Sequence, residues 1–197
     1  MILRQLLITT AILFALMIGL AVYVWKLRGH EEVSPRPAIE TFHLEPPVTG
    51  PAETVTIWVA HDDSGTLRPQ SASIPLTSGR QARAEALLRA LLDIYTSKGS
   101  PNPLPASAEI RAVYLVEPGT AIIDVNGVLA AGQTSGILAE DLTVISLMET
   151  LTANTPGLLR IKILVDGKKG NTLAGHADIS NFYDVMQVNE LAKEMSQ

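Results

Sequence analysis

Hydrophobic positions along this chain change rhythm several times, and each change marks an element. Leu6 to Trp25 is apolar and uncharged, with only Thr9, Thr10 and the ring of Tyr23 bringing in polar groups. A run of that length at helical rise spans about 30 Å, the thickness of a bilayer's hydrocarbon core. Tyr23 and Trp25 close it where amphipathic rings suit the interface. A transmembrane anchor from Leu6 to Trp25 is therefore expected. A cleaved signal peptide fits less well, because the run is long and ends in Val-Trp-Lys-Leu-Arg without a small-residue cleavage site. From Gly29 to Pro51 no period survives, and Pro35, Pro37, Pro46, Pro47 and Pro51 predict an extended linker. At about 3.1 Å per residue it reaches several tens of ångströms and holds the following domain off the membrane.

Beyond the linker the pattern alternates between periods of two and of 3.6. Val55, Ile57 and Val59 mark a strand over 55–60, ended by the turn formers His61-Asp62-Asp63-Ser64-Gly65, and a short extended piece follows from Leu67 to Ile74. Ser78 and Gln81 have the spacing of a capping box. They open a helix whose stripe is Ala84, Leu87, Leu88, Leu91 and Tyr95, with Arg83, Arg89 and Asp93 outside. A loop rich in Pro, Gly and Ser covers 97–107. Ile110–Val116 and Ala121–Asn126 then read as a hairpin about Glu117-Pro118-Gly119-Thr120. Gly127–Gly136 is expected as a loop. A second, deeply buried helix covers 137–153, with Leu138, Leu142, Ile145 and Met148 on one stripe widened by Val144, Leu147 and Leu151, and Asn154-Thr155-Pro156-Gly157 stops it. The strand 159–165 places Leu159, Ile161, Ile163 and Val165 on one face and Arg160, Lys162 and Leu164 on the other. Asp166-Gly167 permits a tight reversal with Lys168 and Lys169 at its tip.

This order predicts an α+β fold: a two-layer sandwich with a β-α-β-β-α-β core, two helices on one face of a small sheet, and a hairpin arm. The expected divisions are 1–28 for the tail and anchor, 29–51 for the linker, 52–180 for the folded domain, and 181–197 for a C-terminal tail able to form a short helix.

Charge refines the picture in two places. The net charge of −5 arises after the linker, with 16 acidic against 11 basic residues from Ala52 onward. That balance argues against a nucleic-acid partner, which a basic stripe would recognise. Arg160, Lys162, Lys168 and Lys169 form a local basic cluster, expected as a solvated hairpin. The positive charges around the anchor, Arg4 before it and Lys26, Arg28 and Arg36 after it, leave the side of the membrane open. With no cysteine, disulfides, thiolate metal sites and thiol nucleophiles are excluded.

Five stretches taken together resemble the GerMN domain family. They are Val55-Thr56-Ile57-Trp58, Ala86-Leu87-Leu88-Arg89-Ala90-Leu91-Leu92, Gly119-Thr120-Ala121-Ile122-Ile123-Asp124-Val125, Leu151-Thr152 before Pro156-Gly157, and Val165-Asp166-Gly167-Lys168 running on to Thr172-Leu173-Ala174-Gly175-His176-Ala177-Asp178-Ile179-Ser180. The last carries most of the weight, and the resemblance covers Glu53–Ser180. It implies an envelope module on the outer side of the cytoplasmic membrane, without a known reaction, similar in fold to the ring-building motifs of secretion and sporulation complexes.

The candidate site residues are those of the resemblance: Asp124, Asp166, Gly167, Gly175, His176 and Asp178, each expected in a structural role. For His176 that role is bonding backbone to fix a bend. Two donors such as His176 and Asp178 do not make a zinc site. Gly167-Lys168 lacks the flanking glycine and hydroxyl of a phosphate loop. Asp62, Asp63, Asp124 and Asp141 can pair only if the fold brings them together. No catalytic residue, cofactor or metal is assigned. The expected function is that of a single-pass envelope protein, not an enzyme, whose outer domain binds envelope proteins or itself. Binding to peptidoglycan or regulation of a wall hydrolase is the alternative.

Overall fold

A computed structural model describes residues 50–133 and 136–196, together with Met17. The expected anchor from Leu6 to Trp25 and nearly all of the linker lie outside the described residues. Within them, no helix is long and apolar enough to cross a membrane.

The two ten-residue strands β1 (Ala52–His61) and β2 (Thr66–Pro75) pair antiparallel along their whole length, from Ala52 opposite Pro75 to His61 opposite Thr66. The extended piece at Leu67–Ile74 is thus the return strand of a long hairpin. Helix α1 (Arg80–Thr96) follows and buries Ala84, Leu87, Leu88, Leu91 and Tyr95, the stripe its spacing predicts. The capping box does not form: the N-cap is Gly79 at φ 108°, with no side-chain cap. Arg83 is also drawn off the outer face, because its guanidinium binds Glu53 at 2.7 Å and the carbonyl of Asn154 at 2.6 Å.

Strands β3 (Ile110–Val116) and β4 (Thr120–Val125) form the second hairpin. A register shift between Ile110 and Ala112 breaks the simple alternation there. Ile110 and Val113 are buried, and Tyr114 and Val116 face solvent. The stretch expected as a glycine-rich loop contains a short helix, α2 (Gly127–Gly132), because the Asn126 side chain accepts from the amide of Leu129 and caps it. Helix α3 (Ile137–Asn154) is buried on almost every side from Leu142 to Leu151. Leu138, placed on the buried stripe by spacing, is exposed at the second position of the helix.

Strand β5 (Arg160–Val165) pairs parallel to β4 and so completes a β-α-β crossover through α3. Ile161 and Ile163 enter the core with Ala121, Ile123 and Val125, while Leu159 stays outside. Short strands finish the chain: β6 (Lys168–Lys169) and β9 (Tyr183–Asp184) on β5, and β7 (Thr172–Leu173) with β8 (Ala177–Asp178). Helix α4 (Val185–Glu194), capped by the Asp184 carboxylate on the amide of Met186, packs on α3. Each fully buried Leu, Ile or Val removes its side chain from water, a gain of about 1.5–3 kcal/mol. The described part is an α+β unit of four helices and three sheets with one contiguous core.

Candidate functional site

The chemistry-bearing side chains of the motif fall into two sets that no hydrogen bond or ion pair joins among the described residues. The first set closes the β5–β6 hairpin. Asp166 and Gly167 have φ of 51° and 72°, the left-handed pair that a two-residue hairpin turn requires. The Asp124 carboxylate, nearly buried on β4, accepts from the amide of Gly167 at 2.7 Å. Arg111, freed by the register shift in β3, lies between Asp124 at 3.5 Å and Asp166 at 3.6 Å. One cation thus serves both carboxylates, and the turn is tied to the adjacent strand.

The second set surrounds Gly175, His176 and Asp178, and its centre is Glu140 in the first turn of α3. Its carboxylate has no solvent exposure. Oε2 accepts from the amides of His176 and Ala177 at 2.7 and 3.0 Å, and Oε1 lies 2.7 Å from His176 Nδ1. Burial opposes the charge of Glu140, but these donors outweigh it and hold the carboxyl below the usual range. A carboxylate has no hydrogen to give, so Nδ1 of His176 is the protonated nitrogen. The imidazole is half-exposed, and its Nε2 makes no hydrogen bond among the described residues. His176 therefore binds a buried carboxylate and not the backbone expected for it.

The clasp sits beside a second buried charge. Lys162 is 3% exposed, and its ammonium donates to the carbonyls of Ile179 and Asn181. Burial lowers its pKa, as does Lys169, against the pull of Asp178. It is a post beneath the 179–181 segment, not part of the solvated cluster expected at the hairpin. Asp178 accepts from the amide of Ser180 at 2.7 Å, and the Ser180 hydroxyl, followed by that amide, keeps its carboxyl low. The Tyr183 hydroxyl donates to the Asp178 carbonyl, and burial with the charges of Asp178 and Asp141 pushes its pKa up to about 12. Asp141 is raised by burial and by its neighbour Glu140.

The other sequence candidates do not join this constellation. Asp62 and Asp63 lie at the tip of the β1–β2 hairpin with His61, where burial and Asp63 raise the carboxyl of Asp62. Asp124 and Asp141 are in different sets. Among the described residues no group of three or more His, Asp and Glu could hold a metal ion. A single imidazole nitrogen without further donors beside it is no ligand cage.

Sequence reasoning missed Glu140. It lies 36 residues from His176, and its place among the stripe residues of α3 resembles any acidic first-turn position. The one available signal was that α3 is apolar on most faces, so a carboxylate there needs donors.

The fold is that of an α+β domain whose C-terminal loop is clasped by a glutamate from its central helix. Residues 56–171 match the family model of Germane, described as sporulation and spore germination. The match spans more than half the chain, and the chain belongs to this family. Its likeness to GerMN domains, read from the motif residues, therefore stands. Among solved structures, a candidate lipoprotein from Clostridium perfringens is 24% identical, with 70% of this chain and 89% of that one covered and a TM-score of 0.46. The first GerMN domain of the sporulation protein GerM from Bacillus subtilis is 20% identical, over 66% of this chain and 97% of that one, with a TM-score of 0.47. The tandem GerMN domains of the same protein are 20% identical, over 67% of this chain and 46% of theirs, with a TM-score of 0.49. No curated protein matches the sequence significantly.

Proposed function

We propose that this chain is a non-catalytic, membrane-anchored envelope protein whose GerMN-type domain, on the outer side of the cytoplasmic membrane, mediates contacts with other envelope proteins. The observation that carries this reading is the direction of the clasp. Both oxygens of Glu140 are bound by donors of the same domain, without exposure, so the one histidine–carboxylate pair among the described residues holds a loop instead of facing a substrate. The apolar run before the domain and the Pro-rich linker supply the anchor and the stand-off. Crosslinking in intact membranes followed by mass spectrometry tests it: captured envelope proteins are the expected result. Recovery of the uncrosslinked chain alone, with neither partner nor oligomer, overturns it.

A second reading, binding to the wall polymer, is favoured by one feature. Tyr114 and Phe182 are both about half exposed on the outer side of the β3–β4–β5 sheet, and the Arg160 guanidinium lies 4.7 Å from the Phe182 ring centre. Aromatic faces of this kind can stack on sugars. Purified sacculi that fail to retain the full chain in detergent remove this alternative.

A further inference from the structure

The two edges of the β1–β2 hairpin are treated differently. In an antiparallel pair, directly opposed residues turn their backbone groups either toward each other or both outward. The outward positions of β1 are fixed by their partners. Trp58 donates to Thr150 Oγ1 at 2.9 Å, Ala60 to the Tyr95 hydroxyl at 2.8 Å, and the Thr56 carbonyl accepts from Asn154 at 2.6 Å. This edge is sealed by α1 and α3. Opposite these residues stand Ser71, Pro69 and Leu67, whose backbone groups therefore also point outward, from the far edge of β2. Leu67 confirms the parity, because its amide donates to the Met195 carbonyl at 2.8 Å. By the same period Ser73 and Pro75 point outward too.

Along that edge Leu67 is occupied, and Pro69 and Pro75 have no donor. Ser71 and Ser73 remain, both exposed, and their amides have no partner among the described residues. The edge opens on a cleft of about 390 Å³, walled on one side by Ser73, Ile74 and Pro75 and on the other by the face of α1 that carries Ala82, Ala86 and Ala90. At its mouth Arg89 is paired to Glu85, while Asp93 has no cation within ion-pair distance among the described residues. Unpaired donors and acceptors at strand spacing are complementary to one thing above all, another extended backbone.

We propose that the Ser71–Ser73 edge of β2 binds an extended peptide segment of a partner protein as a third strand. The bound segment places small or aliphatic side chains in the cleft over Ala82, Ala86 and Ala90 and a Lys or Arg against Asp93. This rests on the reading of the domain as a protein-interaction module and names its contact surface. The flanking prolines confine pairing to a window of about five residues, since they deny donors to a longer partner.

The full chain in detergent, panned against a displayed library of random decapeptides, tests this. The expected result is enriched peptides that slow hydrogen exchange at the Ser71 and Ser73 amides about tenfold or more. Ser73→Pro, which removes an unbonded outward donor, is expected to weaken them about tenfold with an unchanged thermal midpoint. Should that variant unfold, Asp93→Lys probes the same cleft from the exposed side of α1 and is expected to weaken peptides that carry Lys or Arg. Binders that leave both serine amides freely exchanging and protect another surface overturn the edge as the site while the interaction-module reading stands. A library that yields no binder also overturns the edge, and the broader reading is then decided by the membrane crosslinking.

Discussion

Helix α3 buries a glutamate near each end, and the two titrate in opposite directions. Glu140, in the first turn, meets two amides and an imidazole N–H, and its carboxyl is held low. Glu149, nine residues on, is also buried, but its carboxylate meets only the hydroxyl of Thr152 at 3.1 Å. That hydroxyl is shared with the Glu149 carbonyl at 3.1 Å. Burial prevails there, and the pKa rises. Residue type and helix are alike, and Glu140, at 0% exposure against 9%, is the more deeply buried yet the lower in pKa, so the difference lies in the number of donors aimed at each carboxylate. Burial disfavours the charge at both positions, and the number of donors decides whether that penalty is overcome.

The sharpest way to break this contrast is Glu140→Ala. It leaves the buried amide of Ala177 without an acceptor and the amide of His176 with only its longer bond to the Leu173 carbonyl at 3.2 Å, and a stability loss of about 2–3 kcal/mol is expected in denaturant unfolding. His176→Ala removes one of three donors and keeps both amide bonds, so its cost should be smaller, about 1–2 kcal/mol. If the two substitutions cost the same, the amides contribute nothing and the account of the clasp fails.

Acid separates the two glutamates further. Glu140 has a depressed pKa in the folded state, so its contribution is present above the unfolded glutamate value of about 4.3 and is lost as pH falls through the lower folded value. Glu149 has a raised pKa, so its relative stability is full below about 4.3 and declines as pH rises through the folded value. Unfolding midpoints measured from pH 7 downward should therefore fall less steeply in Glu140→Gln than in the native chain. The smallest expected effect is Glu149→Gln, a modest rise in midpoint at pH 7 that vanishes near pH 4. A destabilised Glu149→Gln at pH 7 would mean that Thr152 satisfies the carboxylate better than its geometry suggests.

How far these features can be read from sequence depends on the range over which each is determined. The stripe Ala84, Leu87, Leu88, Leu91 and Tyr95 is set by one helical period, and the reversal at Asp166-Gly167 by two adjacent residues, so both were legible. Gly127–Gly132 looked like a loop because its glycines outweighed the single cap residue, Asn126. The Asn126 side chain also accepts from the amide of Glu109 and donates to the Ser107 carbonyl, which adds tertiary support to that helix. Ser78 failed as a cap although its spacing to Gln81 was right, because the chain enters α1 through Gly79 at positive φ. Of the site, the motif residues Gly175, His176 and Asp178 were legible as a set. Their anchor was not: the apolar faces of α3 signal only that a carboxylate there needs donors, and the donors, 36 residues on, appear only when the fold brings the loop against α3.

Lys162 has a practical consequence for chemistry done on the intact protein. Its amine is enclosed beneath the carbonyls of Ile179 and Asn181, while Lys168 and Lys169 stand in solvent. Amine-directed reagents should acylate the two hairpin lysines rapidly and spare Lys162 for as long as the 179–181 segment stays in place. A mass label appearing on Lys162 would then time the local opening of that segment, and a crosslinking map built on lysines will be blind at the centre of this face.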